Sequence, residues 1–321
     1  MKSRSDYINK IHPRYSNYRD KRFLEHPEFF EHPIGLYGRP PVFTRQDSWR
    51  NVLINPESNQ KDIKLLLSML PEREKHKWFR SMNSSQALTL SVFGNLKTSN
   101  QLHYLSDLRD DDGNKVFVDG HISSKDLTLE YRVDYLGEPR PTSVDVFINM
   151  EYKVAIECKF TEIGLGECSR PKLSKTRPNY TRDFCNGTYT IQRNRGERCS
   201  LSEIGVEYWK YVPELFNWKN DRDLDPCPLN ENYQLVRNVL AACVKDKTAS
   251  YSNGHTILIY DERNPSFQNG GEGNRSYEET RSALLEPAVL RKCSWQKIIE
   301  TMRSKNILPW LTDELELKYG L

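Results

Sequence analysis

Asp145, Glu157 and Lys159 are the residues whose types and spacing point to chemistry. Glu157 and Lys159 stand two apart in the apolar run VAIECKF (154–160), so in a strand they project to one face and Cys158 to the other. TSVDVFINM (142–150) reads as the preceding strand, and a turn at 151–153 folds Asp145 back beside the pair. Two carboxylates and an ammonium are thus gathered at one end of two apolar strands, where charges without partners are costly. A hard divalent cation resolves that cost. Mg²⁺ or Mn²⁺ takes a few carboxylate oxygens, water and a substrate phosphate. Asp145 and Glu157 are the expected metal ligands, with the backbone carbonyl of Cys158 as a third donor. Lys159 is then placed to orient the attacking water or to stabilise the transition state. The bland alternative is a solvated salt bridge from Lys159 to either acid, and the apolarity of both strands argues against it.

The surrounding pattern supplies the elements that hold these residues. Residues 60–80 read as two short helices separated at Pro71. Asn83, Ser84 or Ser85 caps a further helix carrying Ala87, Leu88, Leu90, Val92 and Phe93, with Gly94 where it would stop. After a charged turn at 109–113 the period shifts towards two. LTLEYRVDYL (127–136) is a first strand, which with 142–150 and 154–160 makes an antiparallel meander. Residues 206–218 and 231–246 read as helices. HTILIYDE (255–262) is a buried strand returning to the same sheet, followed by a flexible loop at 264–276. Residues 277–305 read as helical, broken near Pro287. The expected fold is α/β, a mixed central sheet flanked by helices. The chain divides into an N-terminal arm or cap (1–60), a core (61–265) with an insertion at 161–229, and a C-terminal helical segment (266–321).

At Asp145, Glu157, Cys158 and Lys159 the sequence resembles the PD-(D/E)xK nuclease superfamily, the restriction-endonuclease-like fold. Pro141 and Asp145 stand for the first half of the motif, although Val144 occupies the position directly before Asp145. SSQALTLSVFG (84–94), SVDVFINMEYKVAIECKFTE (143–162) and YQLVRN (233–238) are similar to a bacterial family of restriction endonucleases, over roughly residues 80–265. The resemblance implies a core of helix, three strands, helix and strand, and metal-dependent hydrolysis of phosphodiesters, usually in DNA. It also implies a restriction or phage-defence role. Double-stranded DNA is the expected partner, and because a double-strand cut normally needs two active sites, a homodimer is expected with it. A first-helix acid often joins the metal in this superfamily; Gln86 holds that place here, as a hydrogen-bonding amide. Glu130 is a spare acid expected on a solvated face, and Glu162 a spare acid beside the motif.

Gln234 and Arg237, one turn apart, share a helix face and are candidates for contacting substrate phosphate or bracing Lys159, with Asn238 as a third. Cys168, Cys185, Cys199 and Cys227 lie in the insertion, where a structural Zn²⁺ is one reading and packing the other. The insertion is also basic. Between 170 and 198, eight basic residues face two acidic ones, and Lys172, Lys175, Arg193, Arg195 and Arg198 are expected to grip a nucleic-acid backbone.

Composition bounds the rest. In 321 residues, 47 basic and 44 acidic side chains leave a net charge of +3, so global charge says little and its clustering says more. No apolar run is long enough to span a membrane, and the charged N-terminus lacks the core of a secretory signal. Seven cysteines are an odd number, which fits reduced thiols or metal ligands, and a cytoplasmic protein is expected. Two alternatives share these features: a nucleic-acid-binding protein that keeps the fold without cleavage, and an RNase or junction-resolving enzyme. A partner protein is compatible with all three.

Overall fold

The computed structural model describes residues 3–32, 39–118, 122–168, 199–218 and 227–321. The helices described are α1 (Arg4–Arg22), α2 (Gln60–Ser68), α3 (Ser85–Thr89), α4 (Asn95–Thr98), α5 (Ser200–Glu203), α6 (Tyr208–Leu215), α7 (Leu229–Cys243), α8 (Glu272–Ala283), α9 (Trp295–Ser304) and α10 (Pro309–Tyr319). Strands β1 (Leu127–Arg132), β2 (Ser143–Ile148) and β3 (Lys153–Cys158) are joined by short links and pair antiparallel. Short strands β4 (Val244–Lys245) and β5 (Thr248–Ala249) form a separate hairpin. Strands β6 (Gly254–Tyr260) and β7 (Leu290–Ser294) complete the main sheet, whose order is β1-β2-β3-β6-β7. β3, β6 and β7 run parallel, because α7 carries the chain back across the sheet before β6 begins.

The sheet is covered on both faces. Val146, Ile148, Val154, Ile156, Ile257 and Ile259 pack towards α1, α3, α9 and α10, while Phe147, Ala155 and Leu258 pack towards α6, α7 and α8. This alternation is the period-two pattern of strands buried on both faces. α7 lies over β3 and β6, burying Leu235, Val236, Val239 and Leu240. Among the described residues, no helix is long and apolar enough to cross a membrane.

Four local features differ from the expectation. Residues 4–22 form a full helix with a Ser3–Asp6 capping box, and its buried residues are Tyr7, Ile11, His12, Tyr15 and Tyr18. Three of those five are tyrosines, whose hydroxyls mask a helical spacing. Ser84 does cap α3, accepting the Ala87 N–H at 3.2 Å. The helix does not stop at Gly94, however: a π turn (Leu90–Gly94) leads straight into α4. A Cβ on Gly94 would lie 2.6 Å from Leu66 Cδ1, so the glycine serves the close approach of α2. α8 begins at Glu272, inside the expected loop, and β7 lies within the stretch expected to be helical.

Candidate active site

Glu157, at the end of β3, is only 1% exposed and is held from several sides. Its Oε1 lies 2.8 Å from Lys159 Nζ, and its Oε2 accepts from Asn238 Nδ2 at 2.7 Å. Arg237 Nη2 is 3.7 Å from the same Oε2, and Arg237 also donates to Asn238 Oδ1 through Nε (3.1 Å) and Nη2 (2.9 Å). Burial pushes the Glu157 carboxyl up, but the charges of Lys159 and Arg237 and the hydrogen bonds outweigh it and leave the pKa below the usual value. Glu157 is therefore an anion at neutral pH.

Lys159 Nζ also donates to Gln234 Oε1 at 2.9 Å. Burial opposes its charge, yet the carboxylates of Glu157, Glu162 and Asp145 more than compensate and raise its pKa. Lys159 stays an ammonium, able to donate hydrogen bonds and unable to accept a proton.

Asp145 has a different environment. Its Oδ2 accepts the Cys158 N–H at 2.7 Å. The β2–β3 ladder pairs Val146 with Ile156, so one step further Asp145 comes opposite Glu157. Burial and the charges of Glu157 and Glu130 drive its pKa well above the carboxylate range, more strongly than Lys159 lowers it. One acid of the pair is thus matched by cations and the other is left with an excess of negative charge around it. That donor set, two carboxylates with hard oxygens and one of them short of positive charge, fits a divalent cation such as Mg²⁺. Among the described residues no group of three or more His, Cys, Asp or Glu gathers as a metal cage, so water and substrate oxygens would complete the shell.

Glu130 is not on a solvated face. It is 7% exposed, and the β1–β2 ladder (Leu129 with Val146, Tyr131 with Val144) brings it opposite Asp145. Its φ of +48° is in the left-handed region, and the continuous ladder register sets it on the Asp145 face. Gln86 Nε2 and Ser143 Oγ donate to it, and burial raises its pKa against those hydrogen bonds. Gln86 also accepts the His76 N–H at 3.0 Å and donates to the Glu74 carbonyl at 2.9 Å. The amide foreseen beside the metal is therefore a strut joining α3, β1 and the turn before α3. Sequence reasoning missed the burial of Glu130 because it depends on the register between β1 and β2, which places it in the row with Asp145 and Glu157.

Asp145, Glu157, Cys158, Lys159, Gln86 and Gln234 all line one cleft of about 790 Å³. Glu162 lines it too, with one oxygen accepting the Phe160 N–H at 2.6 Å. Arg237, foreseen at substrate phosphate, is 4% exposed and braces Glu157. Sequence reasoning missed the other wall of the cleft, which comes from the N-terminal segment and the turn before α3: His32, Arg39, Pro41, His76 and Trp78. Cys199 and Cys227 are buried in the apolar cluster on the α7 side, with Cys168 packed against it. Cys185, Lys172, Lys175, Arg193, Arg195 and Arg198 lie outside the described residues.

With this geometry in view, comparison with known proteins decides the family. Residues 15–320 match the family model described as restriction endonuclease associating with ARP. The chain belongs to that family. The match runs through the N-terminal segment, the sheet and α10 alike, so this restriction endonuclease family is defined over nearly the whole chain and not over the motif alone. No curated protein and no solved structure matches it.

Proposed function

We propose that this member of the restriction endonuclease family is a metal-dependent phosphodiesterase, acting as an endonuclease on double-stranded DNA in a restriction or defence role. The observation that carries this reading is the convergence of Asp145, Glu157 and Lys159 on one cleft, with the two carboxylates opposite one another. It is supported by a sheet order and crossover helix like those of the restriction-endonuclease-like core. Mg²⁺ or Mn²⁺, held by Asp145 and Glu157 with help from the Cys158 carbonyl, would supply Lewis acidity and a more acidic water. Lys159, fixed between Glu157 and Gln234, donates to the attacking water or to a phosphate oxygen as negative charge grows there. Asn238 and Arg237 keep Glu157 ionised and oriented. The basic run at 170–198 grips the backbone, and cutting both strands calls for a homodimer. The family description names an association with ARP, which supports a partner protein. A structural Zn²⁺ on Cys168, Cys185, Cys199 and Cys227 is a further part of the proposal, resting on four cysteines in one insertion; among the described residues Cys168, Cys199 and Cys227 do not gather as a metal-holding group.

The test is cleavage of plasmid, linear duplex, single-stranded DNA and RNA with Mg²⁺ or Mn²⁺, by wild type and Lys159→Ala. Metal-dependent cutting of duplex DNA that is lost in the variant is the expected result. Cutting of RNA alone would move the assignment to a ribonuclease. Equal, salt-sensitive binding by both proteins with no cutting would move it to a non-cleaving binder.

A further inference from the structure

The cleft is larger than a phosphate and a metal need. At about 790 Å³ it falls among sites that enclose a whole ligand, roughly 300–1,000 Å³. Away from the carboxylates its lining changes character. Trp78 lines it with 57% of its surface exposed, and Pro40, Pro41 and Val42 line it as well. Lys77 Nζ stands 5.2 Å from the Trp78 ring centroid.

This exposed indole sits on a rigid support. Val42 bridges to Ser81, the Phe43 N–H donates to the Arg80 carbonyl at 3.0 Å, and the Met82 N–H donates to the Pro41 carbonyl at 3.1 Å. The buried Asn51 donates from Nδ2 to the carbonyls of Phe79 (2.6 Å) and Ser81 (2.7 Å). The chain directly after Trp78 is therefore tied down while more than half of the indole is left to solvent, an arrangement that costs apolar exposure unless a planar partner covers it. A cation beside the ring and an ammonium deeper in the cleft match a partner that is both flat and anionic.

We propose that Trp78 stacks on a nucleobase of the substrate, one that is unpaired or swung out of the helix, adjacent to the phosphate that a divalent cation on Asp145 and Glu157 would hold. The proposal rests on the nuclease reading and names the substrate feature which that site recognises. Inside a duplex both faces of a base are covered by its neighbours, so only a base out of the stack offers a free face to the indole.

The experiment measures binding in a Lys159→Ala background, which separates recognition from cutting. The probes are labelled single-stranded oligonucleotides and the same strands with an abasic site moved along them. Trp78→Ala is expected to weaken binding to intact strands by about tenfold, the order of one base–aromatic stack, while Trp78→Phe retains most of the affinity. One abasic position should cost the Trp78 protein a similar factor and should make binding indifferent to Trp78→Ala. An equal loss from Trp78→Ala on every abasic strand, no loss at all, or binding confined to fully paired duplex would each overturn the proposal. If wild type cuts nothing but the abasic effect holds, base stacking stands and the nuclease reading falls. If wild type cuts and the abasic effect is absent, this proposal alone falls.

Discussion

Gly166 approaches Gln234 so closely that a Cβ at position 166 would lie 2.5 Å from Gln234 Oε1, the atom that accepts from Lys159 Nζ. Gly166 also has φ +72°, a conformation a side chain resists. The loop after β3 thus packs, through one glycine, against the amide that accepts from the lysine of the candidate site.

Gly166→Ala is therefore expected to displace the Gln234 amide and loosen Lys159. Cleavage should fall by about tenfold or more, as for a reacting group shifted by a fraction of an ångström to an ångström. Strain at positive φ should also cost about 1 kcal/mol of stability. Steady-state cleavage rates and chemical denaturation measure the two effects; unchanged cleavage would show that Gln234 does not position Lys159.

Asn238→Ala removes the hydrogen bond to a carboxylate that is 1% exposed. The expected cost is about 1–3 kcal/mol of folding stability from the unsatisfied Glu157 oxygen, together with reduced cleavage. Denaturant titration beside Glu157→Gln checks the cause: in the double variant the two losses should be less than additive.

The raised Asp145 pKa sets a pH signature. A carboxyl whose pKa is higher folded than unfolded favours the folded state at low pH, and that contribution fades as pH rises from about 4 through the folded pKa. Cleavage requires Asp145 ionised, so at subsaturating metal its acidic limb should lie above the usual carboxylate range. Glu130→Gln removes a charge that raises Asp145, and should move that limb to lower pH. A limb that stays in place would detach Asp145 from the rate profile.

Divalent cations should raise the melting temperature of the protein, and more so at higher pH as the proton on Asp145 ceases to compete. At a concentration near 100 times the dissociation constant the gain is about 2.7 kcal/mol. Asp145→Asn should abolish the Mg²⁺-dependent shift while leaving the metal-free protein folded, because it removes charge from a crowded acidic row. Thermal melts with and without Mg²⁺ decide this.

Zinc content is a separate reading. If Cys168, Cys185, Cys199 and Cys227 hold a structural ion, purified protein should carry about one zinc per chain by elemental analysis, and chelation should destabilise it. Protein without zinc that is equally stable would leave the cysteines as packing residues.

The sequence alone determined the part of this protein that depends on local periodicity. Alternation in two neighbouring apolar strands was enough to bring Asp145, Glu157 and Lys159 together, and helical spacing was enough to put Gln234 and Arg237 on one side of α7. The mixed sheet followed from three closely linked strands, a helix and a returning strand. What the tertiary structure decided depends on contacts between residues far apart in the chain. Arg237 turns to Glu157 and not to solvent because Asn238 and the strand beneath enclose it. Glu130 enters the acidic row because the register between β1 and β2 sets it opposite Asp145. The far wall of the cleft comes from a segment with little apolar pattern of its own, fixed by backbone bonds between residues 41–43 and 80–82. Such bonds use groups every residue carries, so no side-chain pattern announces them.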